Sequence, residues 1–188
     1  MKRMDDCFID LTITSPPYDN LRTYNGYEFE FEKIAKELYR VTKDGGVVVW
    51  VVGDATINGS ETGTSFKQAL YFKDIGFNLH DTMIYKKHST TPVSGKRYFQ
   101  RFEYMFILSK GIPKTFNPIM RNRINKTNDN RKVRTKKTSR NKDGTWNVRT
   151  IKINEIVKID NVWTINPSNS GNKIESNHPA IFPEQLVK

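Results

Sequence analysis

Thr14-Ser15-Pro16-Pro17-Tyr18 brings together residue types that could hold a planar, amino-bearing group for reaction. Two consecutive prolines fix the backbone and remove two N–H donors, leaving a rigid segment whose carbonyls are not drawn into a strand ladder. The Ser15 hydroxyl and the Pro16 carbonyl can then accept hydrogen bonds from an amino group. Tyr18 adds a ring on which a base could stack, worth about 1–3 kcal/mol. Together these suit the amino edge of a nucleobase. The same residues also fit a plain strand-ending Pro-Pro turn, so the motif needs its context. Other reactive side chains are scattered. His80, His88, His178 and the single cysteine, Cys7, fit no zinc spacing and no internal disulfide, so no metal is expected. Cys7 reads as a small buried side chain. Asp54, in Gly53-Asp54-Ala55, either lines a pocket or serves as a turn or cap residue.

The motif follows a β-rich run, residues 8–14, and in an open parallel sheet ligands sit beyond the C-terminal ends of the strands. The elements that would hold it are periodic. Phe31, Ile34, Ala35, Leu38 and Val41 lie on one face of a helix over residues 29–41. Asp44-Gly45-Gly46 reads as a turn, and residues 47–52, all Val or Trp, as a strand buried on both faces. Thr64-Ser65 could cap a second helix over 66–75, closed by Gly76. Residues 80–86 and 102–108 look like two more strands, an antiparallel pair, and a weaker apolar pattern returns at 159–165 and 181–187. Strands alternating with helices of this length predict an α/β fold with a mostly parallel sheet. Arg97-Tyr98-Phe99 and Arg101 could add aromatic and phosphate contacts, with the core resuming from Phe102.

Charge is segregated. The 188 residues carry a net charge of +11, and residues 114–158 hold 14 Lys and Arg against three acids, which accounts for all of it. Such a run is either a solvated loop or a polyanion-binding surface. Interleaved Asn, Thr and Ser, with Trp146 as a flat face, favour the second. The residues assigned to the polyanion are Arg121, Arg123, Lys126, Arg131, Lys132, Arg134, Lys136, Lys137 and Arg140. Aromatic content of 12% is too high for a wholly disordered chain. The longest strictly apolar run is six residues, too short for a bilayer-spanning helix, and the first residues lack a secretory apolar stretch. A cytoplasmic protein with no membrane partner is expected.

In this setting residues 9–18 resemble the catalytic motif of the DNA amino-methyltransferases, which modify adenine N6 or cytosine N4. A second match, His178-Pro179-Ala180-Ile181-Phe182-Pro183-Glu184-Gln185-Leu186, is similar to the segment that opens the cofactor-binding half in the β-class members. Asp160-Asn161-Val162-Trp163-Thr164-Ile165 resembles the stretch ahead of it. The β-class order is catalytic region, target-recognition region, cofactor region, and this chain follows it.

The resemblance implies a partial Rossmann-like, S-adenosylmethionine-dependent methyltransferase fold with a basic target-recognition insert. The expected divisions are 1–113 (catalytic half), 114–160 (insert) and 161–188 (start of the cofactor region). It implies that Ser15, Pro16 and Pro17 hold the target amino group and that Tyr18 stacks on a base flipped from double-stranded DNA. His178, Pro179, Ala180, Phe182 and Pro183 would lie at the cofactor, S-adenosylmethionine. The amino nitrogen would attack the sulfonium methyl in line, driven by positioning. Ser15 in place of Asp or Asn favours cytosine N4. The sequence departs from the family pattern in one respect: no Gly-x-Gly loop follows the His-Pro segment before Lys188. The expectation is a truncated chain that binds S-adenosylmethionine weakly or not at all. It would also leave an apolar sheet edge for a missing C-terminal half or an oligomeric partner. The alternative is a non-catalytic, basic DNA-binding remnant of such an enzyme.

Overall fold

Ile9, Leu11 and Ile13 alternate with polar residues in the first strand, β1 (Ile9–Thr14), and the chain leaves it at the prolines. The structure is a computed structural model and describes residues 3–17, 29–88, 96–123 and 133–165. Helix α1 (Phe31–Val41) buries Ala35, Leu38 and Val41, the face its apolar spacing marks out. It runs directly into β2 (Thr42–Val52), where the Thr42 hydroxyl donates to the Leu38 carbonyl at 2.6 Å. A short hairpin, β3 (Thr56–Ile57) with β4 (Ser60–Glu61), precedes α2 (Thr64–Asp74). Strands β5 (Asn78–Lys87) and β6 (Phe102–Ser109) follow, pairing antiparallel as expected. Beyond them lie β7 (Met120–Asn122), β8 (Val133–Arg140), β9 (Trp146–Lys152), β10 (Ile156–Lys158) and β11 (Val162–Ile165). The described residues fall into two compact units, Asn117–Asp160 in one and the rest in the other.

In the larger unit a five-stranded sheet has the order β1-β2-β6-β5-β11. The β1–β2 and β5–β11 pairs are parallel, and β6 runs against both neighbours. The expected mostly parallel sheet is therefore mixed. Four strands point one way, with β6 inserted in reverse between two of them. Strand β2 is buried on both faces. Val48, Trp50 and Val52 meet Ala35, Leu38, Ala69, Phe72, Phe106 and Leu108 on the helix side, and Val51 meets Tyr85, Met105 and Ile165 on the other. Trp50 centres the first cluster, edge-on to Phe72 at 5.0 Å, and its indole N–H donates to the buried Gln68 amide oxygen at 2.8 Å. That bond satisfies a polar atom whose burial would otherwise cost about 1–3 kcal/mol. Burial pushes the Tyr85 phenol up to about 12, with Glu103 adding to the shift.

Two sequence expectations change here. Asp44-Gly45-Gly46 is not a turn ahead of the strand but a bulge within β2, since Ile9 pairs with Thr42 while Leu11 already pairs with Val47. Gly45 has φ +81° and its amide donates to the Lys110 carbonyl, and a Cβ on Gly46 would lie 2.9 Å from the Lys43 carbonyl. Only glycines admit that approach. Cys7 is exposed rather than buried, because it sits on the turn before β1, with the Lys110 ammonium 3.5 Å from its sulfur.

The smaller unit contains two antiparallel pairs. β7 pairs with β10, and Arg121 bonds Asp160 at 2.9 Å. β8 and β9 form a hairpin closed by Asn141-Lys142-Asp143-Gly144-Thr145. Gly144 takes φ +87°, and the Asp143 carboxylate accepts from both the amide and the hydroxyl of Thr145, at 2.9 and 2.7 Å. Those bonds hold the Asp143 carboxyl below its usual range.

Candidate functional site

Strand register collects the site residues at one end of the sheet. Thr14 pairs with Trp50, Val52 with Tyr104, Lys86 with Phe102 and Ile165 with Lys87. Ser15-Pro16-Pro17, Gly53-Asp54-Ala55 and Arg101-Phe102 therefore all flank the sheet at the C-terminal ends of β1 and β2. Pro16 is buried, Pro17 half-buried and Ser15 exposed. The Ser15 hydroxyl makes no hydrogen bond among the described residues, so an incoming amino group meets an acceptor not already committed there. Tyr18 lies outside the described residues.

Asp54 is settled by its partners. Its carboxylate accepts from the Ser65 amide at 2.9 Å, from the Ser65 hydroxyl and from the Thr62 hydroxyl at 3.3 Å. It is the cap of α2. The expected cap at Thr64-Ser65 is not made by those side chains. The N-cap residue is Gly63, with φ +65° and no side chain to accept from the first turn's N–H groups. The Ser65 N–H in the helix's first turn is met by Asp54, just beyond β2's end, instead. Tyr104 stands nearby, stacked on Phe106 and edge-on to Phe66 and Phe102, and burial, then Asp54 and Glu61, raises its phenol above the usual value.

Arg97 donates to the Thr56 hydroxyl at 2.8 Å and pairs with Glu61 at 3.2 Å, fastening the segment before β6 to the β3–β4 hairpin. Tyr98 is fully exposed and Phe99 half exposed, so both rings face solvent. Phe102, expected to begin the core, is itself exposed, and burial starts at Met105 and Phe106. His80 and His88 are exposed polar residues, each near one end of β5.

In the smaller unit Arg121 is half-buried against Asp160, Arg123 is exposed, and Lys136, Lys137 and Arg140 are exposed on β8. Arg134 lies on the same strand by its backbone. Lys126, Arg131 and Lys132 lie outside the described residues. So does the whole His178, Pro179, Ala180, Phe182, Pro183 group assigned to the cofactor. Among the described residues beyond the C-terminal ends of β1 and β2, the Asp54 carboxylate is already committed to α2. Asn147 and Arg149 are not among the sequence candidates, although the hairpin sets them opposite Ser139 and Lys136. The signal for that hairpin is Asp143-Gly144, a turn dipeptide between two Val- and Thr-containing runs.

The chain carrying this Ser-Pro-Pro sheet end and basic strand unit matches a family model described as DNA methylase, N6_N4_Mtase. That model matches residues 9–188, and the chain belongs to this family. Among relatives, it is 55% identical over 193 residues to the orphan methyltransferase M.BamHII of Bacillus amyloliquefaciens, covering all of this chain and 72% of that protein. It is 28% identical over 175 residues to the type II methyltransferase M.MthZI of Methanothermobacter thermautotrophicus, covering 71% of this chain and 46% of the other. The crystal structure of TTHA0409 from Thermus thermophilus, complexed with S-adenosyl-L-methionine, is similar at TM-score 0.47 and 22% identity, over 62% of this chain and 52% of that one. The chain thus spans about half the length of M.MthZI and TTHA0409. No helix among the described residues is long and apolar enough to cross a membrane.

Proposed function

We propose that the chain acts in site-specific DNA methylation, moving a methyl group from S-adenosylmethionine to the exocyclic amino group of a flipped base, cytosine N4 ahead of adenine N6. Family membership supports the DNA methylase class. The observation that carries the chemistry is Ser15-Pro16-Pro17 at the C-terminal end of β1, with Pro16 buried and the Ser15 hydroxyl exposed.

The target amino group donates its two N–H bonds to the Ser15 hydroxyl oxygen and the Pro16 carbonyl. This holds the nitrogen with its lone pair turned away from the ring plane, and no covalent bond to the protein forms. The buried Pro16 ring fixes the carbonyl's direction, so little reorganisation is needed as charge develops on nitrogen. Tyr18 stacks on the base and offsets part of the few kcal/mol spent on extruding it. When bound, S-adenosylmethionine supplies an electrophilic sulfonium methyl, and His178, Pro179, Ala180, Phe182 and Pro183 are the residues that would lie against it. The proton released by the methylated nitrogen leaves along its hydrogen bond to Ser15, whose exposure opens a route to water. Lys137 and Arg140 neutralise phosphates meanwhile. This reading places the chain with orphan or restriction–modification methyltransferases acting in the cytoplasm.

Nucleoside analysis of DNA after incubation with methyl-labelled S-adenosylmethionine tests this. N4-methylcytosine is the expected product. Only N6-methyladenine would overturn the base preference, and 5-methylcytosine the amino-group chemistry. A non-catalytic DNA binder would bind the same duplexes and leave them unlabelled.

A further inference from the structure

We propose that the β8–β9 hairpin is a two-stranded ribbon that reads base edges in the major groove through the face carrying Lys136, Ser139, Asn147 and Arg149. This rests on the DNA reading above and adds which surface selects the sequence. The register sets Lys136 opposite Arg149, Lys137 opposite Val148, Ser139 opposite Asn147 and Arg140 opposite Trp146. Between Lys137 and Ser139 the ladder shifts by one, leaving Thr138 as an extra residue. A bulge of this kind changes the parity of the strand, so Ser139 joins the face of Lys136 while Arg140 joins that of Lys137. Two side-chain contacts agree. The Asn147 amide donates to the Ser139 hydroxyl at 2.9 Å, and the Lys137 ammonium lies 5.5 Å from the Trp146 ring centre.

The two faces differ in chemistry. One presents an amide, a guanidinium, a hydroxyl and an ammonium, all exposed. Arg is suited to guanine O6 and N7, and Asn to adenine N6 and N7. The other presents Trp146, Val148 and Val133 together with Thr135, Thr150 and Lys152, its Lys137 is drawn over the indole, and its Arg140 donates to the Gly144 carbonyl at 3.3 Å within the hairpin's own turn. Along these paired positions it has no amide, and its guanidinium is turned into the hairpin, so it lacks the bidentate groups suited to adenine and guanine. The dimensions also fit. Two strands about 4.8 Å apart, with their side chains, fill a major groove about 12 Å wide, which admits such a ribbon.

The test uses the 188-residue chain. Its preferred duplex is selected from a randomised pool, and affinity for selected and random duplexes is measured across salt concentrations. Asn147→Ala and Arg149→Lys should each lower the selected-over-random ratio about 5- to 150-fold. Arg149→Lys keeps the charge and loses only the bidentate fork, so its random-duplex affinity and salt slope should stay within about twofold. Val148→Thr, on the opposite face, should preserve both. Unchanged selectivity in the first two variants, lost selectivity in Val148→Thr, or a wild-type chain that binds without selecting overturns the ribbon alone. A wild-type chain with no salt-dependent DNA affinity overturns the DNA reading and the ribbon with it.

Discussion

Ser15 and Asp54 stand on adjacent strands, β1 and β2, just beyond their C-terminal ends, and do different work. Ser15 is exposed without a described partner, while Asp54 has three donors on it. Ser15→Ala removes one acceptor at the developing charge, so turnover should fall about 100-fold with DNA affinity unchanged. Asp54→Ala should act on stability, because it strands the Ser65 amide at the start of α2. A loss of about 2–3 kcal/mol is expected in denaturant titration. Tyr85 gives a pH signature. Its folded value, about 12, lies above the ordinary 10.0. Its contribution is therefore whole below pH 10 and is lost as pH rises towards 12. Wild type should lose stability across that window, and Tyr85→Phe should lose less, as read by thermal melts at stepped alkaline pH.

At the scale of elements, β8 supplies three exposed cations, Lys136, Lys137 and Arg140. Replacing Lys137 and Arg140, the two off the base-reading face, by Gln should flatten the dependence of DNA affinity on salt by nearly two phosphates' worth, at about 0.9 per contact. An unchanged slope would remove that strand from the DNA surface. How far these elements are legible in the sequence depends on burial. α1, β2, α2, β5 and β6 each carry an apolar face, and periodicity exposes them to within a few residues. β8 and β9 bury little, so Val133, Val148 and Ile151 are lost among Lys and Arg, and only the Asp143-Gly144 turn betrays the hairpin. The Asp54–Ser65 cap spans 11 residues and two elements, beyond any local capping pattern. The β2 bulge reads as a turn because Asp-Gly-Gly is chemically the same in both. Ser15-Pro16-Pro17 is legible because its chemistry is written in consecutive residues.

Across the whole molecule, a nearly neutral α/β unit holds the reactive motif, and most of the net positive charge, +9 of the +11, lies on a separate strand unit. Binding and chemistry should therefore be separable by mutation. The most direct measurement is transfer of labelled methyl from S-adenosylmethionine to duplex DNA, comparing wild type with Pro17→Ala and Tyr18→Ala. It is run on the chain alone and again with the part of M.BamHII outside the 193-residue match supplied in trans. The account predicts label on an exocyclic amino nitrogen in wild type, and its loss in both variants with DNA affinity retained. Label that persists in both variants, or DNA that is bound in both arms and never labelled, would contradict it.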